Sequence, residues 1–408
     1  MTYRVRREAV VTFVGVFVVC ATFSLAAQTL PSRPIALANG QVTLGGDLSV
    51  AVGPQDPGFF NYTDYEQSNI RLFRGDLTAS VRVSERITLL GALRTENGAT
   101  LRPHAMYVRV RPWNTLPLDI QAGRIPPTFG AFARRTYGMD SPLIGSPIAY
   151  QYLTSLRVDS LPADADELLR MRGRGSRLRF SIGSQELEHG VAIASPSSWD
   201  TGVQVHAATV SVDATASVTA GTLSYPIWHD DNDRKRFAGR LAVRPTMGLV
   251  VGASASRGPF FSRTAARGAI GDGRDGDFTQ TAWGGDVEYS RDHYIVRVET
   301  ILSDWTIPMA GTPTIDVPLR AMATSVEGKY KIRPGLYGAV RFDHLGFSEI
   351  AGTGGRETWD APVTRVEIGG GYSLQRNLLL KLSYQYNARD AGDVRTLSLL
   401  AGQLHFWF

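Results

Sequence analysis

The sequence predicts an all-β chain, a transmembrane, antiparallel, up-and-down β-barrel of about 18 strands, with about 16 as the alternative. Three observations support this prediction. Apolar and polar residues alternate with a period of two, in runs of roughly 8 to 14 residues, from position 42 onward. Short turns alternate with long connections along the chain. The last segment places Leu404, Phe406 and Phe408 on one face.

The N-terminal segment has the pattern of a secretory signal peptide. Arginines at positions 4, 6 and 7 precede an apolar run over residues 9–25, and small residues follow it. We expect cleavage after Ala27, which assigns residues 1–27 to the signal; a signal anchor is the alternative, because the run could just span a bilayer. Residues 28–41 are predicted to form a periplasmic lead-in, and residues 42–408 the barrel.

The composition excludes several classes of protein. The 408 residues include 43 Lys and Arg and 38 Asp and Glu, and 43% of them are hydrophobic. This charge density argues against a helical membrane protein with many spans, and the hydrophobic content argues against a disordered chain. The single cysteine, Cys20, excludes a disulfide scaffold and a zinc cluster built on thiolates. We therefore expect no metal and no cofactor.

The alternating runs favour a barrel in a bilayer over a soluble sandwich, although both alternate. In the run at 283–289, Trp283, Val287 and Tyr289 share one face, and Asp286 and Glu288 share the other. Tyrosines cluster at the ends of such apolar faces, where a bilayer interface places aromatic residues.

The lengths of the connections predict which rim of the barrel each one occupies. Short turns are expected at 84–86, 111–117, 212–214, 245–247, 290–292, 332–334 and 374–376. Long connections are expected at 53–69, 125–175, 258–278, 304–319 and 344–362. Bacterial outer-membrane barrels have short turns in the periplasm and long loops outside. The ambiguous short runs before Ser195 leave the strand number open between the two alternatives.

The C-terminal residues resemble the terminal signal of bacterial outer-membrane proteins, with Leu404, Phe406 and Phe408 on one face and Trp407 between them. The resemblance implies recognition by the barrel assembly machinery and insertion into the outer membrane. A barrel of about 16 to 18 strands leaves an aqueous channel, and the predicted inward residues are polar. The expected function is passive diffusion of small hydrophilic solutes, without catalysis, in a protein that could form a homotrimer as wide porins do.

The longest connection, at about 125–176, is the expected constriction, because a loop of this length is rarely a plain connector. It opens with the Gly123-Arg124 step and continues through Pro127, Phe129 and Gly130. This pattern resembles the phosphate-selective porins of the O/P type, in which a Gly-Arg or Gly-Lys step precedes a Pro-Phe-Gly turn; here Thr128 separates the proline from the phenylalanine. The resemblance extends over the last 45 or so residues and implies an anion-admitting channel.

Arginines in and beside this connection are the candidate pore residues. Arg170, Arg172 and Arg174 would project to one side of an extended chain, and we expect Arg177 and Arg179 to continue into the next strand. Guanidinium groups suit phosphate, sulfate and carboxylate. The residues hypothesised to line an anion path are Arg124, Arg134, Arg135, Arg170, Arg172, Arg174, Arg177 and Arg179. The alternatives are binding to lipopolysaccharide phosphates, and salt bridges to Asp164, Asp166 and Glu167.

Other motifs in the sequence do not predict a binding or catalytic site. The glycine-rich segment 271–276 spells a nucleotide-binding pattern without the surrounding βα unit, and the acidic segment 229–233 lacks the spacing of a calcium loop. No sequence motif of a hydrolase is present. The remaining alternatives are a structural or adhesive barrel and, less favoured, a barrel hydrolase. The export signal argues against nucleic-acid binding.

Overall fold

The computed structural model describes residues 33–113, 116–135, 138–197, 199–228, 234–261, 278–308 and 311–408. The predicted signal peptide, residues 1–27, lies outside the described residues, as does Cys20. The acidic segment 229–233 and the glycine-rich segment 271–276 also lie outside the described residues.

The described residues are almost entirely in strands and connections. The strands are β1 Ile35–Leu37, β2 Val42–Val52, β3 Leu72–Arg82, β4 Ile87–Glu96, β5 Arg102–Val110, β6 Leu118–Ile125, β7 Ser160–Leu161, β8 Ile182–Gly183, β9 Asp200–Ala208, β10 Val212–Thr219, β11 Arg236–Val243, β12 Leu249–Pro259, β13 Thr279–Arg291, β14 Tyr294–Trp305, β15 Leu319–Arg333, β16 Leu336–Phe347, β17 Glu349–Gly352, β18 Gly355–Thr358, β19 Val363–Gln375, β20 Leu378–Arg389 and β21 Thr396–Trp407. The helices are the short α-helices Ile148–Gln151 and Ala165–Arg170 and the 3-10 turns Ala38–Gly40, Phe132–Arg134 and Gly138–Asp140. Within the described ranges, no helix has the length and apolarity needed to span a membrane.

Seventeen of the described strands form one antiparallel sheet. Strand β2 pairs with β3 on one side and with the last strand, β21, on the other, so the sheet closes on itself. The short β1 pairs only with the start of β2, next to β21. The wall is therefore a closed antiparallel barrel of sixteen strands with one extra strand, which confirms the predicted all-β barrel.

The expected number of 18 strands is wrong, and the alternative of 16 is correct. The ambiguous runs lie before Ser195, where β7 and β8 pair only with each other and do not join the wall. The run containing Arg177 and Arg179 was expected to enter the wall; Leu178 instead forms an isolated bridge to Glu188, and the next wall strand begins at Asp200. A period of two reports extended backbone with two different faces, and it does not specify the partner strand.

The two faces of the wall differ as the alternation predicts. On β20, Leu382 and Tyr384 point outward with 58% and 46% of their surface exposed, whereas Lys381 and Gln385 point inward and are buried. The same pattern repeats around the wall, which has an apolar outer face and a polar inner face. A closed sheet also leaves no unpaired edge, so the outer face can meet lipid without exposing backbone polar groups.

Short and long connections occupy opposite rims. One rim has the short turns 83–86, 111–117, 209–211, 244–248, 292–293, 334–335 and 376–377. The other rim has the connections 53–71, 97–101, 126–199, 220–235, 260–278, 306–318, 348–362 and 390–395. The short turn predicted at 212–214 lies three residues earlier, because Val212 already pairs with Val243.

The C-terminal residue lies at the seam where the barrel closes. The Phe408 amide donates a hydrogen bond to the Gly46 carbonyl at 2.9 Å, and its own carbonyl accepts one from the Gly46 amide at 3.0 Å. Beside these bonds, His405 and Asp47 form a buried pair with a 2.6 Å distance between Nε2 and Oδ2. The first and last wall strands are thus joined by backbone and side chains together.

Candidate functional site

The long connection 126–199 folds into the lumen of the barrel. Directly after β6, the Thr128 hydroxyl contacts Gln204 and Ser217 at 3.0 and 2.9 Å. Two residues later, the Gly130 amide donates to the Ser254 hydroxyl at 3.1 Å. The segment thereby follows the inner wall from β9 to β12.

The same connection then reaches the other side of the wall. The Gly145 amide donates to Glu367 at 3.2 Å, and the Gly145 carbonyl accepts from Arg341 at 2.7 Å. Lys381 donates to the Ser141 carbonyl at 2.8 Å. Because loop backbone groups satisfy buried wall charges that would otherwise be costly, this placement is energetically favoured.

Apolar side chains hold the rest of the connection in place. A buried cluster fills the lumen near the long-connection rim, beside β12 to β19. Its members include Phe129, Ile148, Tyr152, Leu156, Leu168, Leu178, Phe180 and Ile193 from the connection and Trp305, Leu319, Leu345 and Trp359 from the wall and its rim. Burial of this much apolar surface fixes the loop as a folded plug rather than a mobile strand of chain.

Part of the lumen beside the loop is open. We call this space the wall cavity, and its volume is about 250 Å³. Loop residues Arg134 and Arg135 face wall charges across it. Arg297 donates to Glu288 at 2.7 Å and to Glu327 at 3.0 Å, and Arg135 lies 3.4 Å from Glu288. Arginines and carboxylates are closely matched in number here, because an unpaired charge in a confined lumen is unfavourable.

A larger space, the mouth cavity, opens at the long-connection rim with a volume of about 570 Å³. Carboxylates dominate its lining, with Asp64, Asp159, Glu186 and Glu188, whereas Arg124 lies at its floor. Arg157 neutralises Asp159 through two bonds of 2.8 and 2.9 Å. Burial raises the pKa of the Asp64 carboxyl, against the opposing effect of nearby arginines.

The lower cavity, of about 330 Å³, lies beside β2 to β5 toward the short-turn rim. Its wall side combines polar residues, Thr43, Asp47, Thr78 and Ser80, with glycines and small apolar residues. The loop contributes Trp199 to its lining.

Three residues separate the mouth cavity from the lower cavity, and we call them the barrier: His104, Arg124 and Trp199. Arg124 donates to the His104 carbonyl at 3.1 Å and to Ser197 at 3.2 Å, and it stacks over Trp228 at 4.3 Å. The rings of His104 and Trp199 are 5.4 Å apart. Within the described residues, His104 Nε2 and Trp199 Nε1 are buried and have no hydrogen-bond partner. Buried polar atoms of this kind normally bind water or a ligand.

The predicted arginines fall into two groups. Arg124, Arg134 and Arg135 line the mouth and wall cavities. Arg134 also contacts Asp213 at 3.2 Å and Thr215 at 2.8 Å. These three side chains are the predicted site residues that the structure brings to the lumen.

The other predicted arginines lie on the connection near the rim. Arg172 pairs with Glu357 and Asp390, and Arg174 lies 3.6 Å from Asp393. Arg179 donates to the Gln185 carbonyl at 2.7 Å, and Arg170 and Arg177 are exposed. The partners of Arg172 and Arg174 come from other connections. They are not Asp164, Asp166 or Glu167, the salt-bridge partners in the alternative interpretation of the sequence.

The extended geometry assumed for residues 170–174 is wrong. Arg170 ends the helix Ala165–Arg170, and turns follow it. The Asp164 side chain caps this helix by accepting from the Glu167 amide at 2.8 Å. The run in which arginines alternate with Met171 and Gly173 is too short to distinguish a strand from a turn.

Sequence reasoning missed the barrier residues His104 and Trp199. His104 is one of seven histidines scattered singly along the sequence, and Trp199 stands alone just before β9. No spacing in the sequence indicates that these two rings meet. Among the residues that the structure describes, no group of three or more His, Cys, Asp or Glu side chains could hold a metal ion.

Comparison with known proteins relates the fold to that of bacterial porins. No family model and no curated protein matches the chain. OmpF of Salmonella typhi, solved with daunomycin, is 12% identical with a TM-score of 0.57, over 92% of this chain and 100% of that one. An anion-selective porin from Comamonas acidovorans is 10% identical with a TM-score of 0.54, over 90% and 99%.

The outer-membrane protein OmpT of Vibrio cholerae, in its trimer form, is 12% identical with a TM-score of 0.52, over 90% of this chain and 99% of that one. At these identities, the similarity establishes a common fold. The chain has the fold of an outer-membrane porin, and the similarity does not single out the phosphate-selective type.

Proposed function

We propose that this protein is an outer-membrane channel for passive diffusion of small hydrophilic solutes. In this proposal, solutes enter the mouth cavity, pass the barrier of His104, Arg124 and Trp199, and leave through the lower cavity. The observation that carries the proposal is the pair of buried ring nitrogens, His104 Nε2 and Trp199 Nε1, which lie between the mouth cavity and the lower cavity and have no hydrogen-bond partner among the described residues. Water or a solute hydroxyl in this position would supply the missing hydrogen bonds.

The wall supports the same proposal. An apolar outer face suits the hydrocarbon of a bilayer, and a polar inner face suits an aqueous lumen. The predicted membrane is the bacterial outer membrane, reached through the cleaved signal 1–27 and the barrel assembly machinery acting on Leu404, Phe406 and Phe408. A homotrimer is part of the proposal, in keeping with the trimer form of the Vibrio cholerae protein of similar fold.

Purified protein reconstituted in planar bilayers tests the channel directly. We expect stepwise conductance in potassium chloride, and swelling of liposomes in solutions of small sugars. Protein that is folded by circular dichroism but passes neither ions nor sugars would contradict the proposal.

A preference for anions is the finer part of the proposal. Arg124 and Arg135 support it, because both face open lumenal space, whereas the carboxylates of the mouth cavity act in the opposite direction. Reversal potentials in a salt gradient measure the balance. Anion preference that persists in the triple variant R170A/R172A/R174A, and falls in R124Q, would assign the preference to the barrier rather than to the rim arginines.

One observation favours a structural or adhesive barrel as the second candidate. The buried cluster of the connection 126–199 occupies the lumen near the long-connection rim, as a permanent plug would. Absence of conductance from well-folded protein would support this alternative. The barrel hydrolase remains testable by incubating the same protein with lipid and peptide substrates, and product release would favour it over a channel.

A further inference from the structure

The outer face of strands β9 to β13 carries a shallow groove of about 700 Å³. Strand register shows how it is formed. One row across the strands runs Val205, Ala216, Gly239, Ala255 and Trp283, in which each residue is paired with the next. Three consecutive small residues in this row leave a trough.

Larger side chains border the trough. The row nearer the long-connection rim runs Val218, Phe237, Arg257 and Thr281. Phe237 and Trp283 have 64% and 59% of their surface exposed, so both project from the wall. Because all these positions lie toward the long-connection rim, the groove lies in the outer-leaflet half of the predicted membrane.

Arg257 is the charged residue of this groove. It is exposed on the outward face, between Phe237 and Thr281, and its guanidinium forms no hydrogen bond or ion pair with any other described residue. By contrast, Arg320 at the same rim is matched by Asp304 at 2.8 Å. A charge on the lipid-facing surface is costly unless it lies at headgroup level and meets an opposite charge.

We propose that this groove binds an anionic glycolipid of the outer leaflet, of the diphosphorylated lipid A class. One acyl chain would lie in the trough over Ala216, Gly239 and Ala255, and a phosphate would accept hydrogen bonds from the Arg257 guanidinium. The inference goes beyond channel activity and requires only that the barrel lies in the outer membrane.

Charge complementarity selects this occupant over a second copy of the chain. Within the two described rows of β9 to β13, the outward side chains include no carboxylate. An apolar face of another copy would therefore bury Arg257 without a partner, which is unfavourable. A lipid phosphate provides the bidentate acceptor that a guanidinium suits.

Native mass spectrometry of purified protein with diphosphoryl lipid A and with its dephosphorylated form tests the proposal. For R257Q, we expect about tenfold weaker binding of the diphosphoryl lipid and little change for the dephosphorylated one, because one charged hydrogen-bonded contact is lost. G239L fills the trough and should weaken both lipids. A Cβ atom at Gly239 would make only an ordinary contact, with the Thr215 carbonyl oxygen at 3.7 Å, so the backbone can stay in place.

The matched control is R320Q, which changes an outward arginine at the same rim that already has a carboxylate partner; we expect unchanged lipid binding. Equal affinity of wild type and R257Q for the diphosphoryl lipid would overturn the proposal. So would dissociation of an oligomer by G239L in protein that binds no lipid, since the face would then be covered by a second copy. Conductance does not enter these measurements, so failure of the channel proposal would be seen separately.

Discussion

At the scale of single residues, Trp199 is the side chain whose removal should change transport most. Its ring lines the lower cavity and lies 5.4 Å from the ring of His104. For W199A, we expect single-channel conductance to rise several-fold, because loss of the indole joins the two spaces. The measurement is planar-bilayer recording at one fixed salt concentration.

The matched control is W283A, which removes an outward-facing tryptophan and leaves the lumen unchanged. Equal conductance of W199A and wild type would show that solutes do not pass the barrier.

Asp360 gives the connection a dependence on pH. Its carboxylate accepts hydrogen bonds from the amides of Ser155, Gly173 and Ala361 at 2.7 to 2.8 Å, and it is fully buried. Burial raises its pKa from 3.8 to about 6, although these bonds oppose the shift. A raised carboxyl pKa means that the folded state binds the proton more tightly than the unfolded state does.

The docked connection should therefore be most stable below about pH 4 and lose stability as the pH rises through about 6. The difference corresponds to about 3 kcal/mol. We expect slower hydrogen exchange in residues 153–175 at pH 5 than at pH 7, after correction for the intrinsic rate. In D360N, this difference should vanish; its persistence would assign the pH effect to another group.

At the scale of elements, the seam between β2 and β21 depends on the last residue. Deletion of Phe408 removes two backbone hydrogen bonds to Gly46, and we expect the free energy of unfolding to fall by about 2 kcal/mol. Urea titration of protein refolded in detergent measures this without the cellular assembly machinery. F408L keeps both bonds and serves as the control, so an equal loss in F408L would place the effect in the aromatic ring.

The wall elements could be predicted from the sequence because each residue there has only two environments. On β20, every second residue from Leu378 to Tyr386 meets the apolar side, and the intervening residues meet the lumen. The connection elements could not be predicted in this way. The helix Ala165–Arg170 depends on a cap at Asp164 and on packing of Leu168 into the lumenal cluster, and both need the tertiary fold.

The barrier was unpredictable for a related reason. Arg124 was identified because it follows a glycine at the start of the long connection, and that signal is local in sequence. His104 and Trp199 come from β5 and from the far end of the connection, 95 positions apart in the chain. Pairing of β6 with both β5 and β9 brings them together, and no motif in the sequence encodes this pairing.

At the scale of the whole molecule, we expect the ion preference to be the balance between Arg124 and Arg135 in the lumen and the carboxylates of the mouth cavity. Interactions of exposed charges are screened over about 10 Å at 0.1 M salt and over about 3 Å at 1 M. We expect the reversal potential, at a constant concentration ratio, to approach zero as the mean salt concentration rises through this range. A preference that does not change with salt concentration would contradict this expectation.

The long connection is bonded to opposite sides of the barrel, through Thr128 to Gln204 on β9 and through Gly145 to Glu367 on β19. A wide cylinder made of a single layer of strands has little resistance to flattening under the lateral pressure of a bilayer. A connection that is bonded to both sides of the wall resists such flattening. The residues that narrow the passage therefore also keep its cross-section round, and any substitution that detaches one end should alter the shape of the barrel along with its bore.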